Sequence, residues 1–240
     1  MPQIYGIVRT NIPAEDADGV SRQVLVDEFG SQIVKEELFA LTELGSLFRA
    51  CNATFGTGVA MGIQTSFSDT ANVLFLMRNG SATKKIIPRY INLLCTAAGA
   101  STTSSRLAIV LDTANRYSSG GTDLSGNIVN ANSGKAPTSA IDVLRYNCTA
   151  SAAVAKRQVA NIQLKTQAAP CWVVGDSVFI NFGALNDLGA ISGTAANRLT
   201  CGVAPVVLEG QNHCMLIHMW NPANATTAPS WEFELAWLEK

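Results

Sequence analysis

From Thr57 to Lys240 the chain is a succession of short runs rich in Val, Ile, Leu and aromatic residues, each stopped by Gly, Asn, Ser or Pro. In order they are TGVAMGIQ, NVLFLMRN, KKIIPRYINLLC, RLAIVLD, IDVLRYNCT, VANIQLK, CWVVGDSVFINFG, GVAPVVLEG, HCMLIHMW and SWEFELAWLEK. Nine or ten strands with no long amphipathic helix between them restrict the fold to an antiparallel sandwich or barrel. The last run is the most explicit. Trp231, Phe233, Leu235 and Trp237 share one parity with Glu232 and Glu234 between them, the period of a strand packed on one face and wet on the other. Such a strand buries roughly several hundred Å2 at about 25 cal/mol per Å2, so the C-terminal segment is expected to close one of the sheets. Pro88 in KKIIPRYINLL cannot donate to a ladder and predicts an edge or a bulge at that point.

Residues 1–56 differ from the rest of the chain. Eight of the eighteen acids, Glu15, Asp16, Asp18, Asp27, Glu28, Glu36, Glu37 and Glu43, fall in the first fifty residues. Two extended runs, Gln23 to Val26 and Gln32 to Lys35, flank a turn at Phe29-Gly30, as in a small hairpin or an extended arm. Leu38, Leu41, Leu44 and Leu47 then recur at a spacing of three behind Glu36 and Glu37, which suggests a helical turn that Gly45 weakens. The chain is accordingly divided into an N-terminal extension, 1–56, and one β-sandwich domain, 57–240.

Charge narrows the function classes. Only 15% of residues are charged and the net charge is -1, against about 25% charged in an average soluble domain. Such a surface suits cover by other proteins, and equally a β-rich protein whose surface is built from Ser, Thr, Asn and Ala. Lys84-Lys85 and Lys156-Arg157 are the only adjacent basic pairs, so no nucleic-acid footprint is present. No apolar run approaches the roughly 18 residues of a membrane helix. Cys51, Cys95, Cys148, Cys171, Cys201 and Cys214 form no CxxC. The opening MPQIYGIVRTNIPAEDADG lacks a basic n-region and an apolar h-region, which predicts synthesis in a reducing cytosol with the thiols as small buried apolar groups. The sequons at Asn52, Asn79, Asn147 and Asn224 then carry no glycan argument.

Tests for chemistry return little. Gly175-Asp176-Ser177 follows a strand-like run, as the nucleophile does in some esterases, but it is not a G-x-S-x-G elbow. The chain's two histidines, His213 and His218, have Gly210 and Met215 three residues before them where those enzymes need an aspartate. A turn is the better reading. On one strand, His213 and His218 point to opposite faces and cannot share an ion; one is expected inside and one near the surface. The glycines of FGTGVAMG lack the phosphate-cradling spacing. The pairs Glu36-Glu37 and Glu232/Glu234 have no acid placed opposite them and read as solvated edges. No catalytic residue, metal site or cofactor is assigned, and the chain is expected not to be an enzyme.

The ordered motifs FRACNATFGTGVA, NVLFLMRNGSATKKIIPRYINLLCTAAGA, LDTANRYSSGG, CWVVGDSVFINFG and HMWNPANATTAPSWEFELAWLEK resemble a group of tailed-bacteriophage virion structural proteins. The resemblance covers most of the chain and rests on strand and turn patterns. It implies an all-β fold, an antiparallel jelly-roll-like β-sandwich with an extended N-terminal arm, acting as a cement or decoration subunit on a capsid. The implied partners are the major capsid protein and further copies of the chain, as trimer or dimer, in a virion assembled in the host cytoplasm. An acidic arm before a low-charge sandwich suits this role, since an arm holds a neighbour by strand exchange or clamps a lattice. The arm residues expected at the interface are Ile4, Tyr5, Ile7, Val24, Val26, Phe29, Ile33 and Val34. The alternative is a fibre, spike or tail-associated receptor- or glycan-binding protein, using the Ser-, Gly- and Asn-rich stretch from Tyr117 to Thr138.

Overall fold

The computed structural model describes residues 37–240 apart from 53, 63, 100–103, 167–171, 184–187, 192–197 and 222–227, with backbone alone for 37, 104, 165, 166 and 188–191. The expected hairpin or arm within residues 1–36 lies outside the described residues. The first element is helix α1 (Glu37–Glu43). It ends where Gly45, at φ 79°, donates to the Thr42 carbonyl at 2.9 Å and Ser46 donates to that of Leu41 at 2.9 Å. That paired closure needs a left-handed residue, which glycine supplies without strain. The three-residue leucine spacing therefore stops being helical before Leu47.

Sixteen strands follow among the described residues. The first eight are β1 (Leu47–Cys51), β2 (Val59–Ala60), β3 (Val73–Asn79), β4 (Lys85–Ala97), β5 (Ser104–Asp112), β6 (Tyr117–Ser119), β7 (Thr122–Asp123) and β8 (Ile128–Asn130). The rest are β9 (Ile141–Ala150), β10 (Arg157–Thr166), β11 (Ser177–Phe182), β12 (Leu188–Ile191), β13 (Arg198–Val203), β14 (Leu208–Glu209), β15 (Cys214–Trp220) and β16 (Ser230–Glu239).

Eight of these pair as a nest: β1 with β16, β3 with β15, β4 with β11, and β5 with β10, all antiparallel. The first and third pairs lie in one sheet, the second and fourth in the other. One long hairpin of four strand pairs, rolled so that successive pairs alternate between layers, is the winding of a jelly roll. The larger sheet runs β12-β13-β11-β4-β16-β1-β8, with β14 on β4 and β2 on β16, and the smaller runs β10-β5-β15-β3-β9-β6, with β7 on β9. Only the β11/β13 pair is parallel among the described strands. β1, in a segment expected to belong to the extension, is part of the larger sheet.

The C-terminal strand sits at the centre of the larger sheet, between β4 and β1. Trp231, Phe233, Leu235 and Trp237 all point inward and are buried. Trp231 meets Trp172 edge-on at 4.9 Å, and Phe233, Phe75 and Tyr146 form an aromatic triangle with centroids 5.0–5.4 Å apart. Rings offset in this way add to their burial. Pro88 takes the bulge that its missing N–H demands: against β16 the register passes from Tyr90 to Pro88 as Ala236 passes to Trp237, leaving Arg89 over.

The stretch from Tyr117 to Thr138 is a strap across the open side of the sandwich. β6 and β7 pair with β9 in the smaller sheet, and β8 pairs with β1 in the larger. Leu124 and Ile128, between and at these strands, are buried in the core. The composition of this stretch reads as a polar loop and hides the two apolar plugs.

Candidate functional site

The alternation in the first half of β16 leaves Glu232 and Glu234 on the outer face of the larger sheet. Arg49 and Cys51 of β1, and Tyr90, Asn92 and Leu94 of β4, emerge on the same face, because their neighbours Phe48, Ala50, Ile91 and Leu93 face the core. Glu232 and Glu234 are thus mid-sheet residues and not the solvated edges expected of them. Glu234 accepts from the Tyr90 hydroxyl at 2.7 Å and pairs with Arg49. Tyr90 in turn stacks on Phe179 of β11 at 5.4 Å.

Beside that pair is a cavity of about 410 Å3. Its floor is β1, β16 and β4; Val129 of β8 and Phe55, from the turn after β1, form its sides. Asn52 fixes that turn: its Oδ1 accepts from the Phe233 N–H at 2.6 Å and its Nδ2 donates to the Thr57 carbonyl at 3.1 Å. The rim is apolar and open, with Phe55 82%, Val129 51% and Leu94 38% exposed. Inside, Arg49, Glu232 and Glu234 are the charged lining, and Glu232 Oε1 is shut off from solvent with no hydrogen-bond partner. The cavity is acceptor-rich, one negative charge in excess, and walled by hydrocarbon.

The outer face of the smaller sheet is different. Val73, Leu76, Val110, Cys148, Cys214 and Leu216 form a second apolar cluster there, all buried, with Tyr117 packed against it. Arg116, fully buried, ties this cover down. It pairs with Asp112 at 3.2 Å and Asp69 at 3.3 Å, and donates to the carbonyls of Asp69 and Ser151 at 2.9 Å each. Burial raises the Asp112 carboxyl, but N–H groups of Val154, Ala155 and Ala114 and the Arg116 guanidinium outweigh it and hold the group below the usual carboxylate range.

The other candidates separate. Ile4, Tyr5, Ile7, Val24, Val26, Phe29, Ile33 and Val34 lie outside the described residues. Ser177 opens β11 behind a turn in which Asp176 donates its N–H to the Val173 carbonyl at 3.0 Å while its carboxylate accepts from the Val173 N–H at 2.9 Å. Gly175, at φ 93°, sits at the third position of that turn. The strands paired with β11 carry no histidine. His213 is half-buried before β15, and His218, within β15, is fully buried, one outside and one inside. Phe67 covers His218 edge-on at 5.1 Å, neither ring nitrogen has a hydrogen-bond partner, and burial drives its pKa down to about 4.

Tyr117 is half-buried, its ring under the Arg145 guanidinium at 5.2 Å and its hydroxyl donated to the Gly120 carbonyl at 3.2 Å. Cys148, Cys201 and Cys214 are buried, and burial lifts the thiols of Cys148 and Cys214 to about 11. Cys51 is half-buried on the cavity floor, and Cys171 lies outside the described residues. The sequon asparagines Asn52 and Asn79 are buried. No group of three or more His, Cys, Asp or Glu residues suited to a metal occurs among the described residues.

Sequence reasoning misses the cavity. The signal for its floor lies in the parity of β16, which places Glu232 and Glu234 outward; its sides come from Val129 and Phe55, in segments that carry no strand period. Comparison with family models, with curated proteins and with solved structures found no match.

Proposed function

We propose that this chain is a non-enzymatic structural subunit of a phage virion, a cement or decoration protein that braces a capsid lattice. The observation that carries the reading is the asymmetry between the sandwich's outer faces. One is sealed by its own loops; the other presents exposed Phe55, Val129 and Leu94 around a concavity, on a chain with only 15% charged residues. Exposed apolar groups clustered at a depression are what a protein partner covers. The jelly-roll winding supports the same reading, since the fold recurs in capsid proteins. The partners in this reading are the major capsid protein and further copies of the chain, with the arm residues from Ile4 to Val34 as a second hold.

Co-sedimentation of the purified full-length chain with empty heads of the encoding phage tests it. Saturable binding at a fixed ratio to the major capsid protein is expected. A chain that stays in the supernatant at every concentration overturns it.

A receptor- or glycan-binding role on a fibre, spike or tail is the second reading. It is favoured by the exposed Ser118, Ser119, Gly120 and Thr122 on the strap. Glycan-array hits by a chain that leaves heads bare decide for it.

A further inference from the structure

We infer that the cavity on the outer face of the larger sheet is the socket for an arginine side chain of a partner protein. The inference rests on the protein-docking reading above and names what the partner must supply.

The missing element of the cavity is a donor. Glu234 already has two partners, Arg49 and Tyr90, whereas Glu232 lines the cavity with none. A carboxylate without a partner on the wall of a largely apolar cavity is matched best by a cation with N–H groups. The cavity's excess charge is negative, so an anion is repelled and a cation attracted. Its walls select among cations. Leu94 and Val129 offer hydrocarbon to a side-chain stem, and Phe55 is an exposed aromatic ring at the rim. A three-carbon stem ending in a planar fork of donors fits these features together: the stem on the aliphatic wall, the plane against the ring, the fork on the carboxylate. A compact ammonium meets only the charge, and a neutral saccharide only part of the donor demand.

Cys51 on the floor of the cavity reads its charge preference directly, through the rates at which it takes up methanethiosulfonates of similar size and opposite charge. The full-length chain is reacted with the aminoethyl and the sulfonatoethyl reagent, and modification of Cys51 is followed by peptide mass spectrometry. The aminoethyl reagent is expected to be favoured about tenfold after correction for each reagent's rate with a free thiol. Glu232→Gln is expected to reduce that preference to near unity, and Glu232→Asp to keep most of it. Equal rates in the unsubstituted chain, or a preference that survives Glu232→Gln, overturns the inference.

Attachment separates this inference from the reading beneath it. With binding to heads established, Glu232→Gln is expected to weaken it at least tenfold while thermal unfolding stays unchanged. Full-strength binding by that variant overturns the socket and leaves the cement role standing. Protection of Cys51 by a neutral saccharide, with no charge preference between the reagents, assigns the cavity to a glycan and also overturns it.

Discussion

The two outer faces of this sandwich are built from opposite strand types. β3 and β15, central in the smaller sheet, are buried along almost their whole length, because the core covers one side and the second apolar cluster the other. The first half of β16 and all of β11, in the larger sheet, alternate buried and half-buried residues. The first face is closed by a fully buried arginine with two carboxylate partners; the second has its ion pair, Arg49 with Glu234, at the surface beside an open cavity. One outer face is thus covered by the chain's own residues, and the other keeps Phe55, Val129 and Leu94 exposed around a concavity.

The difference is broken most severely at Arg116. Arg116→Ala strands Asp112 in a dry site and is expected to destabilise the fold by about 3–5 kcal/mol in urea titration. Leu216→Ala, at the centre of the sealed face, is expected to lower stability by about 2–5 kcal/mol. Phe55→Ala and Val129→Ala, on the open face, are expected to change it by no more than about 0.5 kcal/mol in the same titration.

His218 adds a pH axis confined to the sealed side. Its pKa falls from 6.5 to about 4 on folding, because burial disfavours the imidazolium; Asp69 opposes this while Arg116 and Lys156 add to it. Between those pH values the unfolded chain holds a proton that the folded chain does not. Stability is therefore full above about pH 6.5 and falls as pH drops toward 4, by about 3 kcal/mol in all at about 1.4 kcal/mol per pH unit. Urea midpoints measured across that window are expected to show the slope, and His218→Leu to remove it. The smallest effect is kinetic: Cys51 is expected to react with a neutral maleimide well before Cys148, Cys201 or Cys214, which peptide mapping over time checks.

Much of the fold is legible in the residues, for a physical reason. Burial on one face enforces period two, and Trp231, Phe233, Leu235 and Trp237 obey it; Pro88 marks a bulge because it has no N–H to give. Burial on both faces erases the alternation, so CMLIHMW announces a strand without saying which residues form the core and which lie beneath the strap. The strap itself is hidden because Leu124 and Ile128 are single apolar residues in polar surroundings. The cavity is less legible still. Arg49 with Phe55, Val129, and Glu232 come from three distant parts of the chain, and the pairings of β1 with β16 and β8 bring them together. The expected arm contacts from Ile4 to Val34 bear on residues 1–36, so the described structure adds a surface to that expectation and does not judge it.

Alkylation of Cys51 on free chain and on chain bound to heads reads whether a partner covers the larger sheet's outer face. At least a tenfold slowing on the particle is expected, together with unchanged protection of Cys148 and Cys214. Bound chain whose Cys51 reacts as fast as in solution would place the contact on another surface.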